Sequence, residues 1–180
     1  MTGHPVPPRI DRPAAAAGFR KNRGWIRRWL ARNGCRARKM ERVALPQRMV
    51  RERADERLLI AVDLHSERAA IWEPAGLVWL PELVEAEFPC LVDAEQVIAA
   101  ARTALTLRRR AFADLECAET ILFPFWVEYR AARDGTIGFE MLDAVTGRPA
   151  GMAVKQGFVK ALKARNRRIP GNPRDGVTAP

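Results

Sequence analysis

The stretch Ile121-Leu-Phe-Pro-Phe-Trp-Val-Glu-Tyr-Arg130 decides the fold, because large apolar side chains occupy every second position along it. This period of two is typical of a β-strand, whose successive side chains point to opposite faces. Asp134-Gly135 follows as a strong turn signal, and the alternation resumes from Ile137 to Leu142. The stretch therefore predicts a β-hairpin with one face in the core, formed by Ile121, Phe123, Phe125, Val127, Tyr129, Ile137, Phe139 and Met141.

The opposite face of this hairpin is our candidate for a partner-binding surface. It carries Leu122, Pro124, Trp126 and Leu142. A sheet covered by helices on one side only would leave these side chains near water, and a proline, which lacks an N–H, favours an edge strand or a bulge. Edge strands with exposed aromatic residues invite partners. The alternative is that an N-terminal helix covers this face with Trp25 and Trp29.

The sequence on either side of the hairpin predicts two helices and a turn. Asp93 is a good N-cap and Gln96 can complete a capping box, so a helix is predicted to begin there and to end near Leu107. After the hairpin, Asp143 is predicted to accept hydrogen bonds from backbone N–H groups two or three residues on, and Gly147 to take a positive φ. A last helix follows, with one apolar face made of Val154, Phe158, Ala161 and Leu162.

The order of these features resembles a PepSY-type module, in which a helix precedes a hairpin that ends in an Asp-Ala-x-Thr-Gly box. The resemblance rests on the capped segment Asp93-Ala-Glu-Gln-Val-Ile-Ala-Ala-Ala, the strand Phe125-Trp-Val-Glu-Tyr129, the turn Asp134-Gly135 and the box Asp143-Ala-Val-Thr-Gly147. It covers residues 93–147. It implies a non-catalytic binding or regulatory module, and it assigns no functional residue.

The sequence upstream of the capped helix predicts a short helix and then strands. The helix is predicted over Gln47–Ala54. The apolar runs Leu58–Val62, Ala69–Glu73 and Leu77–Leu80 predict two or three antiparallel strands. Residues 82–89 predict an acidic loop or a single helical turn.

The N-terminal quarter of the chain predicts a basic arm. Residues 1–24 are expected to be disordered, since four prolines block regular pairing. Residues 25–43 predict a basic amphipathic helix, in which apolar residues share one side and basic residues the other. Such a helix packs on the rest of the domain, lies on anionic lipid or binds a polyanion, and these interpretations stay open. The candidates for polyanion binding are Arg27, Arg28, Arg32, Arg38 and Lys39.

Charge is distributed unevenly along the chain. The 180 residues include 31 Lys and Arg against 21 Asp and Glu, which gives a net charge of +10. Residues 1–53 carry a net +12, residues 54–119 a net −7 and residues 120–180 a net +5. The basic arm therefore either binds an external polyanion such as nucleic acid or lies on the acidic middle of its own chain.

The search for catalytic motifs gives one candidate pair. Asp63 and His65 would share a strand face, where a carboxylate can orient an imidazole for base catalysis; a solvated strand end is the competing interpretation. The chain has no GxSxG, P-loop or GxGxxG motif. Cys35, Cys90 and Cys117 have no metal-binding spacing, and they are expected to be reduced thiols of a cytoplasmic protein.

These observations together predict an α+β fold, with a mostly antiparallel sheet of four or five strands and two packed helices. A single domain over residues 44–165 is expected, preceded by the basic helical arm and followed by a flexible tail over 166–180. The predicted function is that of a small, soluble, non-catalytic accessory or adaptor protein that acts by binding another protein, with no cofactor. The alternative is a nucleic-acid-associated protein, or one bound to an anionic membrane surface, that uses the basic N-terminal segment.

Overall fold

The computed structural model describes residues 1–21, 36–53, 55–72, 78–107, 114–131 and 135–167 of the chain. Within these ranges the backbone forms seven β-strands and three α-helices, numbered here in chain order. They are β1 (Thr2–Pro5), α1 (Arg12–Lys21), β2 (Arg36–Glu52), β3 (Asp55–Asp63), β4 (Ala69–Trp72), β5 (Val84–Glu85), α2 (Ala94–Leu107), β6 (Leu115–Ala131), β7 (Ile137–Asp143) and α3 (Met152–Arg167).

All seven strands belong to one sheet. Across the sheet the order is β4, β3, β2, β6, β1 and β5, and β7 also pairs with β6. Every pair is antiparallel except β1 with β6, which is parallel. The predicted α+β class with a mostly antiparallel sheet is therefore confirmed. The sheet is larger than the four or five strands predicted, and three helices form where two packed helices and a basic helical arm were expected.

The predicted hairpin is formed by β6 and β7, in which Val127 pairs with Met141 and Tyr129 with Phe139. Its predicted core face is buried or half-buried apart from Ile137, which is 61% exposed. The prediction for Ile137 is wrong because α3 covers the strand only as far as Phe139, whose ring centroid lies 5.4 Å from that of Phe158.

The two helices predicted from local signals are also confirmed. Asp93 Oδ1 accepts a hydrogen bond from Gln96 N, and Gln96 Oε1 accepts one from Asp93 N, both at 2.9 Å. This reciprocal pair is the predicted capping box, and α2 ends at Leu107 as expected. The last helix, α3, buries Phe158 and Ala161.

The helices lie on both faces of the sheet. Ala61 and Met141 belong to the same core cluster as Phe158 of α3. Their neighbours along the strands point the opposite way, so Val62 packs with α2 and Leu142 packs with α1. The helix α3 therefore covers one face, and α1 and α2 share the other.

The turns that end β3 and β7 have the same hydrogen bonds. Asp63 N donates to Arg68 O and Asp143 N donates to Arg148 O, each at 2.9 Å. In both turns the aspartate Oδ1 accepts from the backbone N–H groups two and three residues on, as predicted for Asp143. The fifth residue has a positive φ in each turn, 57° at Glu67 and 72° at Gly147. One turn design is thus used twice in the chain.

This correspondence extends to the elements before the turns. Leu64 N donates to Pro46 O at 3.2 Å, and Ala144 N donates to Pro124 O at 3.1 Å, which ties each turn to the long strand beside it. An aspartate also caps each preceding helix, since Asp11 Oδ1 accepts from Ala14 N at 2.8 Å in the way that Asp93 caps α2. The chain therefore contains two helix–strand–strand units, the first unit (α1, β2 and β3) and the second unit (α2, β6 and β7).

The two units are related by an approximate two-fold axis through the centre of the sheet. Leu45 precedes Pro46, Phe123 precedes Pro124, and Leu45 and Phe123 pair directly across β2 and β6. Each helix crosses to the other unit, because α1 packs on Leu142 of β7 and α2 packs on Val62 of β3. The helices thus bind the two units together.

The prediction that residues 1–24 are disordered is wrong for the described residues 1–21. β1 pairs with β6, with His4 beside Ile121 and Pro5 beside Leu122, and α1 buries Ala15 and Phe19. A short helix that is marginal alone is stabilised here by tertiary packing of its apolar face. The predicted domain boundary at residue 44 is therefore wrong as well, since the sheet includes β1 and the start of β2.

Two further sequence predictions are overturned by β2. Residues 36–43 of the predicted basic helix, and residues 47–52 of the predicted short helix, lie in this strand, while residues 25–35 lie outside the described ranges. The strand forms because β3 and β6 pair with its two edges, which outweighs the helical spacing of Met40 and Val43. Residues 78–80 are not in a strand, contrary to prediction, and β5 falls within the predicted acidic loop. The predicted tail at 166–180 begins inside α3, and its residues 168–180 lie outside the description.

Candidate binding site

The predicted partner-binding face is covered. Leu122, Pro124 and Leu142 are buried, so the expectation that they lie near water is wrong. Trp126 is half-buried, and its Nε1 donates a hydrogen bond to Ile10 O at 2.8 Å. The N-terminal segment provides the cover, but it does so through Ile10, Ala15 and Phe19. Trp25 and Trp29, which were considered for this role, lie outside the described residues.

The predicted polyanion-binding residues are not brought together by the described part of the chain. Arg27, Arg28 and Arg32 lie outside it, and the backbone of Arg38 belongs to β2. Lys39, also in β2, forms an ion pair with Glu41. Partial burial acts to raise the pKa of Glu41, but hydrogen bonds from Lys39 and Tyr129 hold that pKa below its usual value. Binding of a polyanion by this segment stays a prediction.

Four polar residues meet under α3 and are called the polar cluster: Gln47, Asp63, His65 and Ser66. Gln47 pairs with Asp63 across β2 and β3, and the other two follow in the turn. Asp63 and His65 are both buried, and His65 is only 1% exposed. The interpretation of this pair as a solvated strand end is therefore wrong. Gln47 could not be recognised in the sequence because only the strand register brings it to the pair.

The hydrogen bonds show which ring nitrogen of His65 carries a hydrogen. Its Nε2 lies 2.7 Å from Pro89 O, and because a carbonyl oxygen only accepts, Nε2 carries the hydrogen. Nδ1 lies 3.7 Å from Asp63 Oδ1, which already accepts from His65 N and Ser66 N. Burial lowers the pKa of His65, and the Asp63 carboxylate and the hydrogen bond to Pro89 O oppose this effect. The neutral imidazole is thus an anchor for the segment that contains Pro89.

The polar cluster has more acceptors than donors. Gln47 Oε1, Asp63 Oδ2 and His65 Nδ1 have no hydrogen-bond partner, and neither does Ser66 Oγ. Unpaired buried acceptors cost free energy. The second unit builds the same turn with Phe125 and Val145 at the positions of Gln47 and His65, so the turn itself does not require these polar side chains. His65 has almost no exposed surface through which to reach a substrate, which argues against base catalysis.

Aromatic contacts extend the anchor at Pro89 to α3. Phe88 is buried beside His65, with ring centroids 6.3 Å apart, and beside Phe158, at 5.8 Å. The Arg165 guanidinium lies 5.0 Å from the Phe88 ring centroid and also forms an ion pair with Glu87. Residues 87–89 are therefore fixed to the body of the protein.

The segment before this anchor carries exposed apolar side chains on a sheet edge. We call Met1, Leu80, Leu83 and Val84 the edge surface; each is at least 40% exposed. β1 holds this segment in place, because Leu80 N donates to Pro5 O and Ala86 N donates to Met1 O, both at 2.9 Å. The sequence carries no local signal for this surface, because the exposure of these residues depends on the pairing of β5 with β1.

The charges around the edge surface are acidic. Residues 78–91 contain Glu82, Glu85 and Glu87 and no Lys or Arg, in a chain with a net charge of +10. All three carboxylates belong to exposed residues, and Glu87 is paired with Arg165. Residues 78–91 thus combine exposed apolar side chains with acidic ones in a basic protein, and Arg165 pairs with one of the three carboxylates.

Comparison of the chain with protein-family models, curated proteins and solved structures finds no match in any of the three. In the described ranges, no helix is long and apolar enough to span a membrane. The same ranges contain no group of three or more His, Cys, Asp or Glu side chains placed to hold a metal ion.

Proposed function

We propose that this chain is a non-catalytic accessory protein that binds another protein through the edge surface. The observation that carries the proposal is the concentration of exposed apolar residues. Six of the nine exposed large apolar residues in the described ranges are Met1 or lie within residues 78–91. Exposed apolar residues that are concentrated in one segment favour a protein interaction site, whereas singly scattered ones need no such explanation.

The position of the edge surface supports the same function. β5 is the last strand at its end of the sheet order, and β1 pairs with it on one side only. An edge strand offers backbone groups for pairing with an incoming segment. Anchoring of residues 87–89 by His65 and Arg165 supports a preformed surface, which lowers the entropic cost of binding.

The resemblance to a PepSY-type module supports a binding role as well. The helix, hairpin and Asp143 turn that carry the resemblance form the second unit, and the first unit has the same arrangement. Such modules imply binding or regulation without catalysis. The proposal includes a cytoplasmic location, supported by Cys90 and Cys117, which are free thiols.

The test is a pair of double variants with matched changes. Leu83→Asp/Val84→Asp places two charges on the edge surface, and Leu107→Asp/Met152→Asp places two charges on exposed apolar residues of α2 and α3. A partner captured from native lysate is identified, purified and titrated against each protein. We expect the first variant to weaken binding about 100-fold or more and the second to bind like wild type. Equal binding by the edge variant would refute the proposal.

A further inference from the structure

The backbone of β5 presents unused groups to solvent on a defined side. Ala86 N donates to Met1 O, so in this antiparallel pair the N–H and C=O groups of Val84 and Ala86 point toward β1. The same groups of Leu83 and Glu85 point away from β1, toward the outside of the sheet. An extended chain can therefore pair with β5 without displacing any hydrogen bond among the residues that the structure describes.

The side chains around the free backbone groups of Leu83 and Glu85 determine which side chains a pairing segment would need. Leu83, 63% exposed, directly precedes β5, and along an extended chain Leu83 and Glu85 point to one face of the sheet while Val84 points to the other. Opposite-charge and apolar cross-strand pairs stabilise an added strand, and like charges oppose it. Glu82 places a second carboxylate beside the strand, and residues 78–91 include no basic residue to neutralise it.

We propose that the edge surface binds an extended partner segment in which two adjacent apolar residues are flanked by basic residues, and that this segment adds to the sheet as a strand next to β5. This inference rests on the proposed function and specifies its partner. The main chain of the segment would pair with Leu83 and Glu85. Its two apolar side chains would lie beside Leu83 on one face of the sheet and Val84 on the other, and the flanking Lys or Arg side chains would lie beside Glu85 and Glu82.

The test uses two synthetic peptides on the full-length protein, one that repeats Lys-Val-Val-Lys (the Lys peptide) and one that repeats Glu-Val-Val-Glu (the Glu peptide), each fluorescently labelled and capped at both ends. Because the whole chain has a net charge of +10, unspecific attraction favours the Glu peptide. We expect the Lys peptide to bind at least about tenfold more tightly, by fluorescence anisotropy, and to slow hydrogen exchange of the Leu83 and Glu85 amides.

Variants of the protein separate strand addition from other modes of binding. Glu85→Lys should reverse the preference between the peptides, and Leu83→Asp/Val84→Asp should weaken binding of the Lys peptide at least about tenfold, whereas Leu107→Asp/Met152→Asp should not. Glu85→Pro removes an N–H that points away from β1, so it should weaken binding without changing the circular dichroism spectrum.

Three results would overturn the inference. The first is equal binding of both peptides or tighter binding of the Glu peptide, and the second is no measurable binding of either at about millimolar concentration. The third is a wild-type dimer, detected by light scattering, that Leu83→Asp/Val84→Asp dissociates, because a second copy of the chain would then occupy β5. In the first two cases the proposed function is still supported if Leu83→Asp/Val84→Asp weakens the binding of a partner captured from lysate.

Discussion

His65 couples the stability of the protein to pH. Its Nε2–H is committed to Pro89 O, and its Nδ1 has no donor. Burial lowers its pKa below the usual value of 6.5, against the opposing effects of Asp63 and the bond to Pro89 O. The unfolded chain therefore takes up a proton at this residue more readily than the folded chain does. It follows that the free energy of unfolding falls as the pH falls below about 6.5.

We expect urea unfolding to give lower stability at pH 5 than at pH 7, with this one proton contributing at most about 1.4 kcal/mol per pH unit. His65→Val, which introduces the residue found at Val145 of the second unit, should have a flatter pH dependence. The control is His4→Ala, because His4 is the other histidine of the chain and lies outside the polar cluster. Identical pH profiles for wild type and His65→Val would contradict this account.

At Gly157, α3 lies close to the polar cluster. A Cβ at this position would lie 3.1 Å from Ser66 Cβ and 3.3 Å from His65 Cβ. The turn cannot easily move away from α3, because Asp63 Oδ1 accepts hydrogen bonds from the backbone N–H groups of His65 and Ser66. Glu67 in the same turn already has a positive φ. The close packing of α3 therefore depends on the missing side chain.

Gly157→Ala is expected to lower the stability of the protein, although alanine is favoured over glycine in a helix by about 1 kcal/mol. The comparison is Gly138→Ala in β7, where a Cβ meets no atom within 4 Å and stability should stay the same or rise slightly. Both variants are measured by urea unfolding. A stabilised Gly157→Ala protein would mean that α3 can shift away from the turn at no cost.

At the scale of elements, α1 is part of the folded body. Phe19 is 2% exposed and packs with Leu142 of β7, so Phe19→Ala should cost about 3–5 kcal/mol. For a chain of this size, that loss lowers Tm by roughly 6–20 °C. Arg20→Ala, at the exposed neighbouring position, should melt close to wild type. An unchanged melting temperature for Phe19→Ala would restore the interpretation of the N-terminal region as a dispensable arm.

The elements that could be predicted from the sequence are those whose signals lie within a few residues. The capping box of α2 and the alternation in β6 and β7 are local, and both are confirmed. β2 was mistaken for helix because its spacing of apolar and basic residues suits a helix, whereas pairing with the distant β6 decides its conformation. The covering of the face that carries Trp126 could not be predicted for the same reason, since its contact Ile10 lies 116 residues away in the sequence.

The candidate sites were less predictable than the fold. Asp63 and His65 were recognised as a pair by spacing, but their burial depends on α3 and Phe88. The edge surface depends on the pairing of β5 with β1, which brings Met1 beside Ala86. Exposure and burial of these residues arise from contacts between distant parts of the chain, and composition or periodicity does not contain that information.

At the scale of the whole molecule, the two units differ where the candidate sites lie. Both have the capped helix, the long strand with a proline and the aspartate turn. The first unit alone places Gln47 and His65 in the core, and α3 follows only the second unit. The repeat escaped detection in the sequence because few positions, such as Pro46 and Pro124 or Asp63 and Asp143, are the same in both units.

The crossing of α1 onto the second unit has a consequence during synthesis on the ribosome. Ile10 and Trp126 are separated by 116 residues. At a translation rate of about 5–20 residues per second, Trp126 is therefore synthesised roughly 6–23 s after Ile10. For part of that time β2 is complete but has no β6 at its second edge, and bare strand edges promote aggregation of nascent chains. Six Lys and Arg residues within β2 oppose such association by mutual repulsion. We therefore expect the basic character of this strand to limit aggregation of the unfinished chain until β6 emerges.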